Sequence, residues 1–232
     1  MNSTPGGTDI EAVAVLEEPT RRRLYEWVAA QPHAVGREEA ASEVGITRAL
    51  AAFHLDRLVD AGLLATEFRR LTGRSGPGAG RPAKLYRRSA REVEVSLPAR
   101  RYGFAAEIFA RALDQEGDEA GDVGTVAHEA GIALGRRARQ GQGPSAGTLG
   151  ALNDGGYEPV VDEDRTIRLR NCPFHALAAT HRDLTCGMNL ALAEGIVEGL
   201  GIGDIVPELD PQPGWCCVVF RPQEAGTRDA PA

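Results

Sequence analysis

No stretch of this sequence reaches the roughly 18 uncharged apolar residues that a membrane-spanning helix requires. The opening segment, Met1 to Asp9, lacks the basic and then apolar order of a secretory leader. The chain is therefore expected to be cytoplasmic and to have no membrane partner. Also missing are a CxxC pair, HExxH, GxSxG and a glycine-rich phosphate loop, so the common signatures of metalloproteases, serine hydrolases and nucleotide-binding enzymes are absent. No segment repeats itself. Cysteine is absent until position 172 and then occurs four times, at Cys172, Cys186, Cys216 and Cys217.

What is present fits a folded chain of two parts. The 232 residues are 42% hydrophobic and 25% charged, which is ordinary for globular proteins and long enough for two small cores. The 28 glycines and 14 prolines imply many turns. A formal charge of -7 excludes a surface that is basic throughout, so any nucleic-acid contact has to come from a local patch. Between Thr66 and Arg91 lie Arg69, Arg70, Arg74, Arg81, Lys84, Arg87, Arg88 and Arg91, opposed by Glu67 alone. A solvated face normally mixes signs. This concentration points instead to phosphate contact.

Apolar spacing gives two short helices between residues 10 and 30, with Pro19 at the start of the second, where its missing N–H is harmless. A third helix over 37–44 stops at Gly45, and a fourth over 48–61 follows Thr47, whose hydroxyl suits an N-cap. Ala51, Leu55 and Leu58 form the apolar stripe of this fourth helix, leaving Arg48, Ala49, Ala52, His54, Asp56 and Arg57 on open faces. Strands over 63–70 and 83–88, joined by a Gly/Pro/Ser-rich loop over 72–82, complete a helix-turn-helix with a wing. The fold class expected is α+β: a winged helix-turn-helix over 1–95, then a smaller α/β sensor and dimerisation domain over 96–232. The sensor domain is expected to hold helices over 102–113, 123–139 and 148–154, and a hairpin over 158–171 turning at Asp162 to Asp164. A long helix over 174–200 broken near Cys186 and Gly187 follows, then a last strand over 214–221.

A recognition helix inserts its N-terminal residues in the major groove, while basic side chains fix register on phosphates. Thr47, Arg48, Ala52, His54 and Arg57 are the candidate groove residues, and Arg69, Arg70, Arg74, Arg81 and Lys84 the candidate wing contacts. For His54 a partly buried, backbone-bonded role stands beside base contact, and for Arg57 a solvated one. The run ITRALAAFHLDRLVDAGLL followed by GRPAKLY resembles the winged helix-turn-helix of ArsR-like bacterial regulators. That resemblance implies a homodimer reading an inverted repeat in double-stranded DNA.

In a reducing cytosol, clustered thiols point to metal or redox chemistry rather than to disulfides. Cys172 precedes Pro173 at the mouth of a helix, where amides favour a thiolate. Cys216 and Cys217, placed on one strand, point to opposite faces, so one of them, preferably Cys216, is expected to join Cys172 and Cys186. Such a set suits an iron-sulfur cluster or zinc, with His175 or His181 nearby; buried cysteines acting as small hydrophobes are the plainer reading. NCPFHALAATHRDLTCGMNLALAEG and the later GWCCVVF resemble the C-terminal region of SufR-type iron-sulfur repressors. The resemblance implies a cluster, 4Fe-4S ahead of 2Fe-2S, held by Cys172, Cys186 and Cys216 or Cys217, whose presence favours operator binding. The expectation is thus a transcriptional repressor, not an enzyme. Its rivals are a regulator sensing zinc, thiol oxidation or a small organic ligand and, more remotely, a cysteine-dependent enzyme.

Overall fold

The computed structural model describes residues 9–70, 82–114, 121–141 and 147–223. The chain divides into two compact units, Met1–Val95 and Ser96–Ala232. No residue of either buried core belongs to the other unit.

The first unit opens with α1 (Asp9–Ala14) and a short 3-10 turn, Val15–Glu17. Pro19 begins α2 (Pro19–Ala30), and the Glu18 carboxylate accepts from the amides of Thr20 and Arg21 at 3.0 and 2.6 Å, satisfying donors that a helix start leaves unpaired. A two-residue strand β1 (Val35–Gly36) precedes α3 (Arg37–Val44). Gly45 ends α3 in the left-handed region (φ 73°), and the Ile46 amide turns back to the Ala41 carbonyl at 3.0 Å. Thr47 caps α4 (Arg48–Asp60), its hydroxyl accepting from the Leu50 amide at 3.3 Å. The hairpin β2 (Leu64–Arg69) and β3 (Ala83–Arg88) adds β1 on its far side, giving the antiparallel order β1-β3-β2. Leu24, Val28, Leu55, Leu58, Leu64 and Tyr86 form its buried centre. Arg74 and Arg81 of the candidate wing lie outside the described residues.

The second unit begins with α5 (Tyr102–Leu113), α6 (Val123–Gln140) and α7 (Thr148–Asp154). Asp122 caps α6, accepting from the amides of Gly124 and Thr125 at 3.2 and 2.9 Å. The hairpin β4 (Pro159–Val161) and β5 (Ile167–Leu169), the helices α8 (His175–Thr180) and α9 (Arg182–Leu200), and the strands β6 (Ile205–Leu209) and β7 (Val218–Pro222) follow. The sheet runs β4-β5-β7-β6, antiparallel throughout. The expected smaller α/β domain is thus corrected: this unit is the longer one, and with every strand pair among the described residues antiparallel it is α+β.

The α6–α9 contact is backbone against backbone. A Cβ built on Gly131 would stand 2.2 Å from the Leu192 carbonyl oxygen, and one on Gly135 would stand 2.3 Å from that of Ile196. Reciprocally, Gly195 meets the His128 carbonyl and Gly199 that of Ile132. The register advances in the same sense along both helices, so they run parallel, and four glycines spaced four apart let them touch.

Two expectations about the thiol-bearing segments fail. The helix breaks at His181 (φ -131°, ψ 57°) and runs unbroken through Cys186 and Gly187, because Gly187 is exposed and needs no special conformation there. Cys216 and Cys217 precede β7 rather than lying on it. They follow the turn that the Trp215 amide closes on the Gln212 carbonyl, and are held by the Cys216 amide donating to the Leu169 carbonyl at 2.9 Å and by the Asp210 amide donating to the Cys217 carbonyl at 2.8 Å.

Candidate functional site

The fold brings all four thiols to one place. Cys172 follows β5, Cys186 lies in the second turn of α9, and Cys216 and Cys217 stand on the turn into β7. Because β5 and β7 are neighbours, the first and last segments meet at one end of the sheet. The four line a cavity of about 610 Å³ with His175, Arg182 and the turn from Pro211 to Trp215. The expectation that only one of Cys216 and Cys217 could join is corrected. Strict up-and-down alternation holds on a strand, and both residues stand before β7 begins. His175 lines the cavity; His181 is not among its lining residues and serves as the residue preceding α9.

The sulfurs form a chain of contacts, Cys172 with Cys216, Cys216 with Cys217, and Cys217 with Cys186. Hydrogen bonding from Cys216 holds the Cys172 thiol below its ordinary value, helped by the Phe174 amide and the Arg100 charge. The same neighbour holds Cys217 down at about 6. As the donor to both, Cys216 is pushed far up, and burial adds to the effect. Burial first, then Cys217, pushes Cys186 up to about 12.

Several residues that sequence reasoning missed hold this arrangement. Asn189, buried at 1% exposure, donates from Nδ2 to Cys216 Sγ at 3.3 Å and accepts from the Tyr157 hydroxyl. With Oδ1 taking the hydroxyl proton, the N–H of the same amide faces the sulfur. Burial keeps Tyr157 protonated, its titration raised well above the ordinary range. Arg100 donates to the Cys172 carbonyl at 3.2 Å and to Asn171 Oδ1, while Asn171 Nδ2 donates to the Ala99 carbonyl at 2.8 Å. The one legible signal was spacing: Asn189 stands three residues beyond Cys186, on the same face of a helix.

Among the described residues no group of three or more His, Cys, Asp or Glu side chains is arranged to hold a metal ion. A tetrahedral zinc ion would need its sulfur ligands about 2.3 Å from one point. A cluster of several metal atoms would take one thiolate on each iron, and the residues that could hold either group are Cys172, Cys186, Cys216 and Cys217.

In the first unit, α4 exposes Arg48, Ala49, Leu50, Phe53, Asp56 and Arg57, and leaves Ala52 half-buried. His54, expected on an open face, is 6% exposed. Its Nδ1 lies 3.4 Å from Arg21 Nε and 3.5 Å from a Glu18 carboxylate oxygen, so it faces α2 and cannot reach a base edge. Position 54 sits beside Leu55 and Leu58 on the inward face; a stripe read from three residues was too narrow. Phe53, which the stripe left unassigned, is 57% exposed. Thr47 is exposed, with its hydroxyl committed to the cap.

Three candidate cations have internal partners: Arg48 with Glu38 at 3.1 Å, Arg69 with Glu67 at 3.7 Å, and Lys84 with Asp56 at 2.7 Å. All are exposed pairs, worth at most about 1 kcal/mol and readily exchanged for another anion. The side chains of Arg57 and Arg70 are exposed and have no partner among the described residues. Comparison with family models, with curated proteins and with solved structures gives no match to this chain.

Proposed function

We propose that this chain is a DNA-binding transcriptional repressor, acting as a homodimer, whose C-terminal unit holds a 4Fe-4S cluster through Cys172, Cys186, Cys216 and Cys217. The observation that carries the reading is the convergence of four thiols from three distant segments on one cavity, an arrangement that burial of small hydrophobes does not require. Arg100 and Arg182 stand near enough to favour thiolates, and Asn189 supplies a hydrogen bond to one sulfur. When bound, such a cluster supplies an electron-accepting centre whose potential follows net charge, burial and hydrogen bonds to sulfur. Its gain or loss shifts the population between states of different operator affinity.

The first unit is read as a winged helix-turn-helix. Its α3, tight turn and α4 supply the helix pair, and the β2–β3 hairpin the wing. The exposed face of α4 mixes Arg48 and Arg57 with Ala49, Leu50 and Phe53. In a major groove, guanidinium groups pair with guanine edges or phosphates, and apolar side chains pack on thymine methyl groups. Arg69, Arg70 and Lys84 grip the backbone.

Two measurements test this. Anaerobic purification followed by absorption spectroscopy and iron and sulfide assay should give a coloured protein with four irons per chain; a colourless protein with one zinc rejects the cluster. Retention of labelled duplex DNA should weaken steeply with salt, and Arg57→Ala or Arg70→Ala should each lower the log-log slope by about 1. Absence of retention at low salt, with and without metal, rejects the regulator.

A further inference from the structure

A second cavity in the C-terminal unit has no cysteine in its lining. It measures about 510 Å³ and opens among α5, α6, α7 and α9, within the size range of small-molecule sites. Its floor is Tyr157, Phe174, Leu192 and Ile196, none more than 3% exposed. Phe104, Leu134, Ala138 and Ala151 complete the apolar lining. Water in such a place finds few hydrogen-bond partners, and the lining side chains forgo the contacts that a closed core would give them.

The rim is polar and unequal in charge. Arg101 and Arg137 stand there with one carboxylate, Asp154. Arg101 donates to the Asp154 backbone carbonyl, which holds its guanidinium in place and leaves the carboxylate unused by that bond. Arg137 is exposed and has no partner among the described residues. An apolar floor rejects ions and sugars, and two guanidinium groups against one carboxylate favour a single negative head. The planar fork of Arg matches a carboxylate in particular.

We propose that this cavity is a binding site for an amphiphilic carboxylate, its apolar chain on the Phe174–Leu192 floor and its head group on Arg137. No cysteine and no residue of the first unit lines the site; Tyr157 also bonds Asn189 beside Cys216, but the titration below reads neither metal nor DNA, so its failure and that of the repressor reading are distinguishable.

The test is calorimetric titration of the full chain with decanoate, decanol and decyltrimethylammonium, three probes of one chain length. Decanoate should saturate a single site with a micromolar dissociation constant, and the neutral and cationic probes should bind at least about tenfold more weakly, the loss of one charge-assisted hydrogen bond. Arg137→Gln, a change at an exposed position, should weaken decanoate about tenfold and leave decanol unaltered. Ala151→Phe should fill the space and abolish both, with melting checked alongside. The proposal is overturned if decanoate shows no saturable binding, if decanol equals it, or if Arg137→Gln leaves it unchanged.

Discussion

At the scale of single residues, the most consequential group is Asn189. Removing it as Asn189→Leu takes the donor from Cys216 and strands the Tyr157 hydroxyl, which burial makes costly at about 1–3 kcal/mol. Pairing it with Tyr157→Phe removes the orphan as well, so the double variant should melt at a higher temperature than Asn189→Leu alone. A double variant that melts lower would show that the hydroxyl has another partner. The thiols differ equally sharply. With Cys217 held down at about 6 and Cys186 up at about 12, the thiolate fraction near neutral pH belongs to Cys217, with Cys172 next in line. In metal-free protein at pH 7, iodoacetamide should label Cys217 and Cys172 before Cys186 and Cys216. Mass mapping should show labelling of Cys217 slowing as pH falls below about 6, because protonation removes the nucleophile.

At the scale of elements, the glycines of α9 make opposite predictions for one substitution. Gly195→Ala drives a methyl to 2.1 Å from the His128 carbonyl oxygen. The helices must part, and overpacking of this kind costs about 1–3 kcal/mol, more than the gain in helix propensity. Gly187→Ala on the same helix meets nothing within 4 Å, and should raise stability by about 0.5–1 kcal/mol. Denaturant midpoints of the two variants should move in opposite directions.

These elements also show what could be read from the chain and what could not. The caps at Glu18–Pro19, Gly45 and Thr47 are local chemistry, and the helices and hairpin that they bound stand near their expected places. The helix break is at His181 because the geometry around α8 and α9 decides it, and Gly187 carries no mark that distinguishes a tolerated glycine from a hinge. Strand β6 contains Pro207 and borders only β7, so nothing in its own residues announced it. The meeting of Cys172 with Cys216 and Cys217 depends on β5 lying beside β7, a long-range pairing of Ile167 with Phe220 that spacing alone does not encode. For His54 the buried alternative matches and the groove one does not, and its partners are side chains, Arg21 and Glu18, from another segment rather than backbone, which spacing along one helix does not show.

At the scale of the whole molecule, each unit has a buried core that borrows nothing from the other. Fragments 1–95 and 96–232 should therefore each give a cooperative melt when expressed alone. A fragment without a transition would mean that its core is insufficient by itself. The charge distribution divides in the same way, with an acidic chain carrying its concentrated positive charge around the β2–β3 hairpin.

The placement of the thiols also sets a timetable. Cys172 leaves the ribosome first, Cys186 follows within α9, and Cys216 and Cys217 emerge only after β6 has been made. A nascent chain cannot offer the full donor set until β7 has emerged and settled beside β5. Any metal delivery to this cavity therefore has to await synthesis of the C-terminal unit through its last strand, and a ribosome stalled at the end of β6 would hold a chain with only half of its thiols.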